Sequence, residues 1–487
     1  MREEPQAEPL ALLGAARAVL AAALAEDGTG PVVVLTGTHE QARRWVERLT
    51  YFLPPVEEGN APRVHLFAEP DALPYERIAW TDRTRQQRLT ALAAIQTQTP
   101  PWPVIVAPLR AALQKTLPAR ELRLALRPLS VGSFLRLEEL TIRWVQIGYS
   151  PAQVVEEPGT FARRGGIIDI WPPNLPYPVR IDLFGDEVET LRIFDPATQR
   201  TVRRVERIEI GPGSEALAKY GPRVLARLAG KQATDAGEPP TFEETLLNDP
   251  HLLLAVREEL QREVDHLAQA ESFRGVEWYL PYMYAQPASL LDHMPSGGTL
   301  LLDDGGELRT LLEETETQVQ RLHEELRRAG ELPADFASSF FTGQEFLARL
   351  EAARPLILGY GDLSGAAQNA DTPIARAFAP GPRYGGKTRQ IVRDVGKFID
   401  ARDKVVLVSR QAARLQAELE EADIPVHLQS ELDRTPGPGA TLLQGIVDEG
   451  FVLRETEDGA RVLLLTDAEL FGWQKTATRK QRRTQST

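Results

Sequence analysis

The stretch that decides the fold is FARRGGIIDIWPPNLPYPVRIDLFGDEVETLRIFDPATQR, which runs from Phe161 to Arg200. It contains β-rich runs separated by tight turns, the pattern of half-buried strands. All of its basic residues are arginine, whose planar guanidinium binds carboxylates and carbonyl groups and is frequent at protein interfaces. The stretch therefore indicates a binding surface and not a reaction centre. Composition alone favours a simpler alternative, in which the strand faces are solvated and carry ordinary cross-strand ion pairs.

The composition of the 487-residue chain indicates a multidomain protein without thiol or zinc-finger chemistry. With 42% hydrophobic and 26% charged residues, a chain of this length should form about three or four domains, each with its own core. The absence of cysteine excludes disulfides, thiolate nucleophiles and iron–sulfur ligation. No two histidines have the helical spacing of a metal site, and a net charge of −13 argues against a large non-specific grip on nucleic acid.

Hydropathy predicts a cytoplasmic protein that does not contact membranes. No run of the chain approaches ~18 uninterrupted apolar residues, the length that a membrane-spanning helix needs. The N-terminal residues MREEPQAEPL contain acids and have no apolar core of the kind found in signal peptides.

Alternating helical and buried-strand patterns surround the β-rich stretch and predict a parallel, doubly wound sheet that the stretch interrupts. The clearest buried strands are PVVVL (Pro31 to Leu35), VIVA (Val104 to Ala107) and TLLLDD (Thr299 to Asp304). A helical region from Ser214 to Phe273 is expected to break at Pro222. The predicted divisions are 1–118 and 211–360 for the α/β domain, 119–210 for the inserted β-rich domain, 361–386 for a linker, 387–475 for a small α/β domain, and 476–487 for a basic disordered tail.

The β-rich stretch and its approach, IGYSPAQVVEEPGTF (Ile147 to Phe161), resemble the protein-binding domain shared by the excinuclease subunit UvrB and the bacterial transcription-repair coupling factors. The shared pattern is Gly-Tyr, then Val-x-x-Pro-Gly-x-Phe, then Arg-Gly with two apolar residues and Asp, then Arg-apolar-Asp-apolar-Phe. FAEPDALPYERIA (67–79) and the segment 278–304 resemble the two halves of that family's first domain. RYGGKTRQIVRDV (383–395) and the segment 405–419 resemble its small third domain.

The resemblance implies an α/β fold with a degenerate helicase-like (P-loop-type) parallel sheet domain, an inserted β-rich (α+β) partner-binding domain, and a small separate α/β domain. It implies a non-catalytic adaptor that recruits the repair protein UvrA to stalled transcription complexes. It also implies that RNA polymerase, DNA and an ATP-dependent translocase belong to a C-terminal half of the family that we expect to be absent from this chain. No cofactor or metal is expected.

The same resemblance implies which residues contact UvrA. These are Arg164, Arg180 and Phe184, a set in which two arginine forks flank an aromatic anchor. A second set comprises residues that could equally be cross-strand partners within the sheet. The second set is Arg192, Asp182 and Glu187.

Two segments could form a nucleotide site. LLGAARAV (Leu12 to Val19) occupies the place of UvrB's phosphate-binding loop but has no Lys, Ser or Thr. GPRYGGKT (Gly381 to Thr388) formally matches G-x-x-x-x-G-K-[ST], and VLLLTD, ending at Asp467, imitates the strand that holds magnesium. However, a polar, proline-bounded segment and not a buried strand precedes the match. An ATPase that uses Gly381, Gly386, Lys387 and Thr388 is therefore the alternative and not the preferred function.

A third function, a UvrB-like binder of damaged DNA, needs the long aromatic hairpin with which UvrB clamps DNA. In UvrB that hairpin follows the region that matches Pro70 to Tyr75. Here only about a dozen residues separate Tyr75 from Arg88, so the sequence predicts weak DNA binding without base stacking.

Overall fold

The computed structural model shows a mixed α/β protein. In its described residues, one parallel and one mostly parallel sheet accompany a mostly antiparallel six-stranded sheet and a two-stranded antiparallel ribbon. The residues that it describes are 9–55, 62–96, 100–230, 249–333, 335–364, 372–426, 428–432, 436–454 and 459–472. The predicted basic tail, 476–487, and residues 365–371 of the predicted linker lie outside the described residues.

The first section of the chain alternates helices with buried strands. Its elements are α1 (Gly14–Asp27), β1 (Val32–Thr36), α2 (His39–Phe52), β2 (Val64–Leu66), α3 (Asp82–Ile95), β3 (Val104–Pro108), α4 (Leu109–Leu113) and α5 (Ala119–Ala125). Every residue of β1 and β3 is buried, which is typical of parallel strands covered by helices on both faces. Thr38 and Gln41 form a capping box that fixes the start of α2 directly after β1.

The inserted section is dominated by antiparallel strands. Its elements are β4 (Arg127–Ser130), α6 (Leu137–Gln146), β5 (Ser150–Pro151), β6 (Thr160–Arg164), β7 (Ile167–Ile170), β8 (Val179–Phe184), β9 (Glu187–Phe194), β10 (Thr201–Val205) and β11 (Arg207–Ile210). Six of the strands form one sheet in the order β10-β9-β8-β7-β6-β5. The entering strand β4 pairs with the leaving strand β11, from Arg207 opposite Ser130 to Ile210 opposite Arg127. This two-stranded ribbon closes the base of the insertion.

The third section returns to helices and buried strands. Its elements are α7 (Gly221–Gly230), α8 (Leu254–Ala268), α9 (Leu280–Met283), β12 (Thr299–Leu302), α10 (Gly305–Arg328), α11 (Gly343–Ala353) and β13 (Leu356–Ile357). The sequence predicted that Pro222 breaks a helix. In the structure it lies instead in the first turn of α7. A proline costs little there because the first amides of a helix have no partner within it.

Strands from both sides of the insertion build one parallel sheet in the order β13-β12-β1-β3-β2. β1 is central, with Val33 opposite Leu300 of β12 and Ile105 of β3. The first and third sections are therefore halves of one α/β unit, and neither half holds a complete sheet.

A fully buried ion pair joins these two halves. Arg88 of α3 donates from Nε and Nη2 to the carboxylate of Glu215 over 2.6 and 3.0 Å. The guanidinium lies 4.0 Å from the ring centre of Phe67 and 4.7 Å from that of Trp80. Thr116 also donates its hydroxyl to Glu215. Since Glu215 follows the insertion directly, the pair fixes where the chain re-enters the α/β unit.

The last section forms a second α/β unit. Its elements are α12 (Pro373–Ala377), β14 (Phe378–Ala379), α13 (Thr388–Asp400), β15 (Lys404–Ser409), α14 (Ala412–Glu421), β16 (Leu428–Gln429), β17 (Gly439–Gln444), β18 (Phe451–Leu453), β19 (Val462–Thr466) and α15 (Asp467–Phe471). The sheet order is β14-β18-β19-β15-β17-β16, with β14 and β18 antiparallel to their neighbours. The segment predicted as a linker, 361–386, thus contains a short helix and an edge strand of this sheet.

This second unit packs against the first one. Ala15 of α1 is buried in a cluster with Val406, Phe451 and Leu464. The contact covers the beginning of α1, where a side chain placed at Gly14 would lie 3.4 Å from the carboxylate of Glu449.

Candidate functional site

The six-stranded sheet of the inserted section has two faces of opposite character. Val179 and Ile181 of β8 are fully buried in the core. Successive side chains of a strand point to opposite faces, so the residues between and beyond them lie on the other side. We call this side the outer face, and β8 contributes Arg180, Asp182 and Phe184 to it.

Strand pairing brings all six residues predicted to contact a partner onto the outer face. Residues directly opposite each other in a sheet share a face. On β9, Arg192 lies opposite Arg180 and Glu187 lies opposite Phe184. Arg164 of β6 lies opposite Ile167 of β7, which lies opposite Asp182. The six residues are Arg164, Arg180, Asp182, Phe184, Glu187 and Arg192.

Arg180 is already engaged inside the chain. It donates from Nε and Nη2 to the two carboxylate oxygens of Asp169 over 2.7 and 2.8 Å. Its guanidinium also lies 4.7 Å from the ring centre of Phe194. Hydrogen bonding to Asp169 raises the pKa of Arg180 above its usual value. The neighbouring strand β7 therefore supplies a carboxylate to one of the two arginines predicted to contact the partner.

The other arginines of the outer face divide into paired and available groups. Arg192 donates from Nη2 to both carboxylate oxygens of Asp182, 2.6 and 2.5 Å away. These two members of the second set are thus cross-strand partners. The sequence had left open whether they pair within the sheet or contact UvrA. Arg164 is exposed and donates Nη2 to the backbone carbonyl of Gln153 at 3.0 Å, and no carboxylate of the described residues pairs with it. Arg164 is therefore the member of the predicted set with a guanidinium open to a carboxylate from outside.

Two phenylalanines project from the outer face. Phe184, predicted from the sequence, is 78% exposed, and Phe134, which was not predicted, is 77% exposed. Phe134 precedes α6 and forms an isolated bridge to Glu187 of β9. Its only sequence signal is a phenylalanine in the polar turn VGSF, which hydropathy alone does not distinguish from a core residue.

The arginine of the first nucleotide candidate, Leu12 to Val19, is paired with an acid of the same chain. Arg17 of α1 donates Nη1 to the carboxylate of Asp303 at 2.7 Å and to its backbone carbonyl at 3.0 Å. The next acid, Asp304, accepts from the amide of Glu307 at 3.1 Å and caps α10. Both acids that follow β12 therefore have structural partners at the edge of the parallel sheet.

In the second nucleotide candidate, 381–388, several amides donate to backbone carbonyls. Tyr384 donates its amide to the carbonyl of Glu469, and Gly386 donates its amide to that of Leu470, each over 2.8 Å. A phosphate-binding loop needs such amides free and must leave a central strand. Here the preceding strand is β14, a two-residue edge strand.

The acid paired with that loop by the sequence motif is also engaged. Asp467 accepts from the hydroxyl of Ser409 at 2.5 Å and from the amide of Arg410 at 3.2 Å. Within the described residues, no three His, Asp or Glu side chains are grouped as metal ligands. No helix in the described part of the chain has the length and apolar character needed to cross a membrane.

Comparison with known proteins identifies the inserted section and most of the chain. Residues 128–215 match the family described as the UvrB interaction domain. The transcription-repair-coupling factor of Bacillus subtilis is 30% identical over 347 residues, which are 71% of this chain and 28% of the relative. That of Myxococcus xanthus is 29% identical over 490 residues, or 95% of this chain and 38% of the relative. That of Escherichia coli is 27% identical over 298 residues, or 60% of this chain and 23% of the relative.

The chain thus spans less than two fifths of the length of these relatives. Several coupling factors nevertheless match much of it, and the UvrB interaction domain falls on its inserted sheet. We therefore identify the chain as a homologue of the N-terminal, UvrB-like module of the transcription-repair-coupling factors.

Proposed function

We propose that the chain is a non-catalytic adaptor of transcription-coupled DNA repair that recruits UvrA through the outer face. The observation that carries the proposal is the UvrB interaction domain match at 128–215, which contains the whole six-stranded sheet. This sheet buries its apolar face in the core and leaves Phe184 and Arg164 unburied. An exposed aromatic side chain beside an available guanidinium is typical of an interface hot spot.

The contact residues have distinct parts in this proposal. Phe184 would enter an apolar pocket of UvrA, and Arg164 would bind a carboxylate. Arg180 would contact UvrA through the exposed remainder of a guanidinium that Asp169 holds in place. Arg192, Asp182 and Glu187 would support the same surface.

The α/β unit fits the further proposal of a degenerate helicase-like domain. Its support is the contact of Arg17 with Asp303 at the carboxyl edge of the parallel sheet, where nucleotides bind in related folds. We retain the predicted divisions 1–118 with 211–360 and 119–210 as proposed domains. We extend the third, predicted as 387–475, back to the edge strand Phe378–Ala379, because this strand belongs to the same sheet. RNA polymerase and DNA remain proposed partners of the coupling-factor regions that lie outside the matched part.

Binding of purified UvrA from the same organism to the 487-residue chain tests this function. We expect a complex in biolayer interferometry, and we expect Phe184→Ala to weaken it by about 2 kcal/mol, or roughly thirtyfold in Kd. Arg164→Ala should weaken it less, because a partly solvated ion pair contributes less. Tyr177→Ala is the matched control, since Tyr177 is an exposed aromatic residue just before β8, at the end of the strand opposite Phe184.

Circular dichroism of each variant verifies that the sheet still folds. The proposal is wrong if the wild-type chain does not bind UvrA. The chosen surface is wrong if binding survives Phe184→Ala and Arg164→Ala unchanged.

A further inference from the structure

The outer face carries a second exposed aromatic residue that the predicted contact set does not contain. Among the phenylalanines in the described part of the chain, only Phe134 and Phe184 are exposed, at 77% and 78%. The others are buried or half-buried. Two such side chains contribute little to the core, so their placement has no explanation in the stability of the fold.

Both phenylalanines stand in one row of the sheet. Glu187 of β9 lies opposite Phe184 on one side and forms a bridge to Phe134 on the other. Since directly opposite residues share a face, Phe134, Glu187 and Phe184 all belong to the outer face. Strands lie ~4.8 Å apart, which places the two phenylalanine backbones about 10 Å from each other with a carboxylate between them.

The backbone holds Phe134 in this position. The amide of Val188 donates to the carbonyl of Ser133 at 2.8 Å, and the amide of Leu135 donates to the carbonyl of Asp186 at 2.7 Å. The segment around Phe134 thus extends the sheet beside the β8–β9 hairpin. Because this backbone is already fixed, binding at Phe134 does not have to order the chain segment that carries it, which favours the residue as an anchor.

We propose that Phe134 and Phe184 form a paired aromatic contact for UvrA, an inference that rests on the proposed function. The matching surface of UvrA has two apolar pockets about 10 Å apart, in keeping with the strand spacing. A lysine or arginine of UvrA between the pockets meets Glu187. The match to the UvrB interaction domain begins at residue 128 and so includes Phe134, which makes the contact continuous with the surface proposed above.

Phe134→Ala tests the pair in the same binding assay. We expect it to raise the Kd for UvrA about tenfold, because it removes much of one buried phenylalanine side chain from the interface. Phe134→Leu, which keeps an apolar side chain, should raise it less. Tyr177→Ala again serves as the control and should leave the Kd unchanged.

A second measurement covers the case in which Phe134→Ala lowers the melting temperature. The chain has no cysteine, so Phe134→Cys introduces a single thiol that can be labelled with acrylodan before UvrA is added. UvrA should shift the emission of this label to shorter wavelength, because binding removes the label from water. The same label at Tyr177→Cys should not respond.

The outcomes separate the two proposals. If Phe184→Ala weakens binding but Phe134→Ala does not, and the label at position 134 is silent, the pair is wrong and the proposed function stands. If the wild-type chain does not bind UvrA, the function and the pair are both wrong. If the label at position 134 responds to chain concentration without UvrA, a second copy of the chain covers Phe134 and the proposed contact is wrong.

Discussion

Replacing Arg88 by methionine should destabilise the α/β unit more than any surface substitution. Arg88 is 0% exposed and Glu215 is 1% exposed, and the two side chains form a two-point ion pair. Methionine fills a similar volume between Phe67 and Trp80 but leaves the carboxylate of Glu215 buried without its cation. Breaking a buried ion pair by removing one partner costs about 3–5 kcal/mol.

The expected cost is near the middle of that range. Glu215 keeps the hydroxyl of Thr116, which continues to satisfy one carboxylate oxygen. The carbonyl of Ala68, which accepts from Arg88 Nη1 at 2.9 Å, loses that donor, and an unsatisfied buried acceptor costs about 1–3 kcal/mol. We therefore expect about 4 kcal/mol in total for Arg88→Met.

Scanning calorimetry measures this effect without assuming that the whole chain unfolds in one step. In a domain of ~150–250 residues each kcal/mol shifts Tm by ~2–4 °C, so the transition of the α/β unit should fall by about 10 °C. Arg83→Met is the control, since Arg83 is exposed on the same helix.

The double variant Arg88→Met with Glu215→Leu decides whether the ion pair is the cause. Removing both charges leaves no buried ion unpaired and is often close to neutral. We expect the double variant to be at least as stable as Arg88→Met alone. If its loss equals the sum of the two single losses, or if Arg88→Met costs under ~1 kcal/mol, the reasoning from uncompensated burial is refuted.

Two further outcomes follow from the described contacts. Burial lowers the pKa of His293 from 6.5 to about 4, despite the attraction of Glu215 and Asp292, so the unfolded chain binds its proton more readily. The stability that neutral His293 contributes is therefore present above pH 6.5 and is lost as the pH falls towards 4, by up to ~1.4 kcal/mol per pH unit. Urea titrations at several pH values should show that His293→Gln loses less unfolding free energy between pH 6.5 and 4 than His251→Gln, the control at an exposed residue. Equal dependence of the unfolding free energy on pH in the two variants would contradict this. A fluorescent ATP analogue should bind no better to the wild-type chain than to Lys387→Ala, because the loop amides are engaged, whereas micromolar binding abolished by that substitution would establish the ATPase alternative.

Local sequence determined the buried strands of the α/β units and their order along the chain. The apolar runs at 31–35 and 104–107 predicted strands that the structure has at Val32–Thr36 and Val104–Pro108. Such runs are decided by neighbouring residues, because a strand covered on both faces must be apolar along its length. The mixed α/β class followed from the same patterns.

The tertiary structure decided which of these elements meet. Hydropathy predicted the strand at Thr299–Leu302 but not its pairing with Val32–Thr36 across the whole insertion. The pattern of the β-rich stretch predicted arginines on strand faces. It did not predict that Arg180 forms an ion pair with Asp169 while the guanidinium of Arg164 stays exposed. Phe134 looked like any apolar residue until the bridge to Glu187 placed it on the outer face. Periodicity records which residues are apolar, whereas pairing register and side-chain partners arise from contacts between segments far apart in the chain.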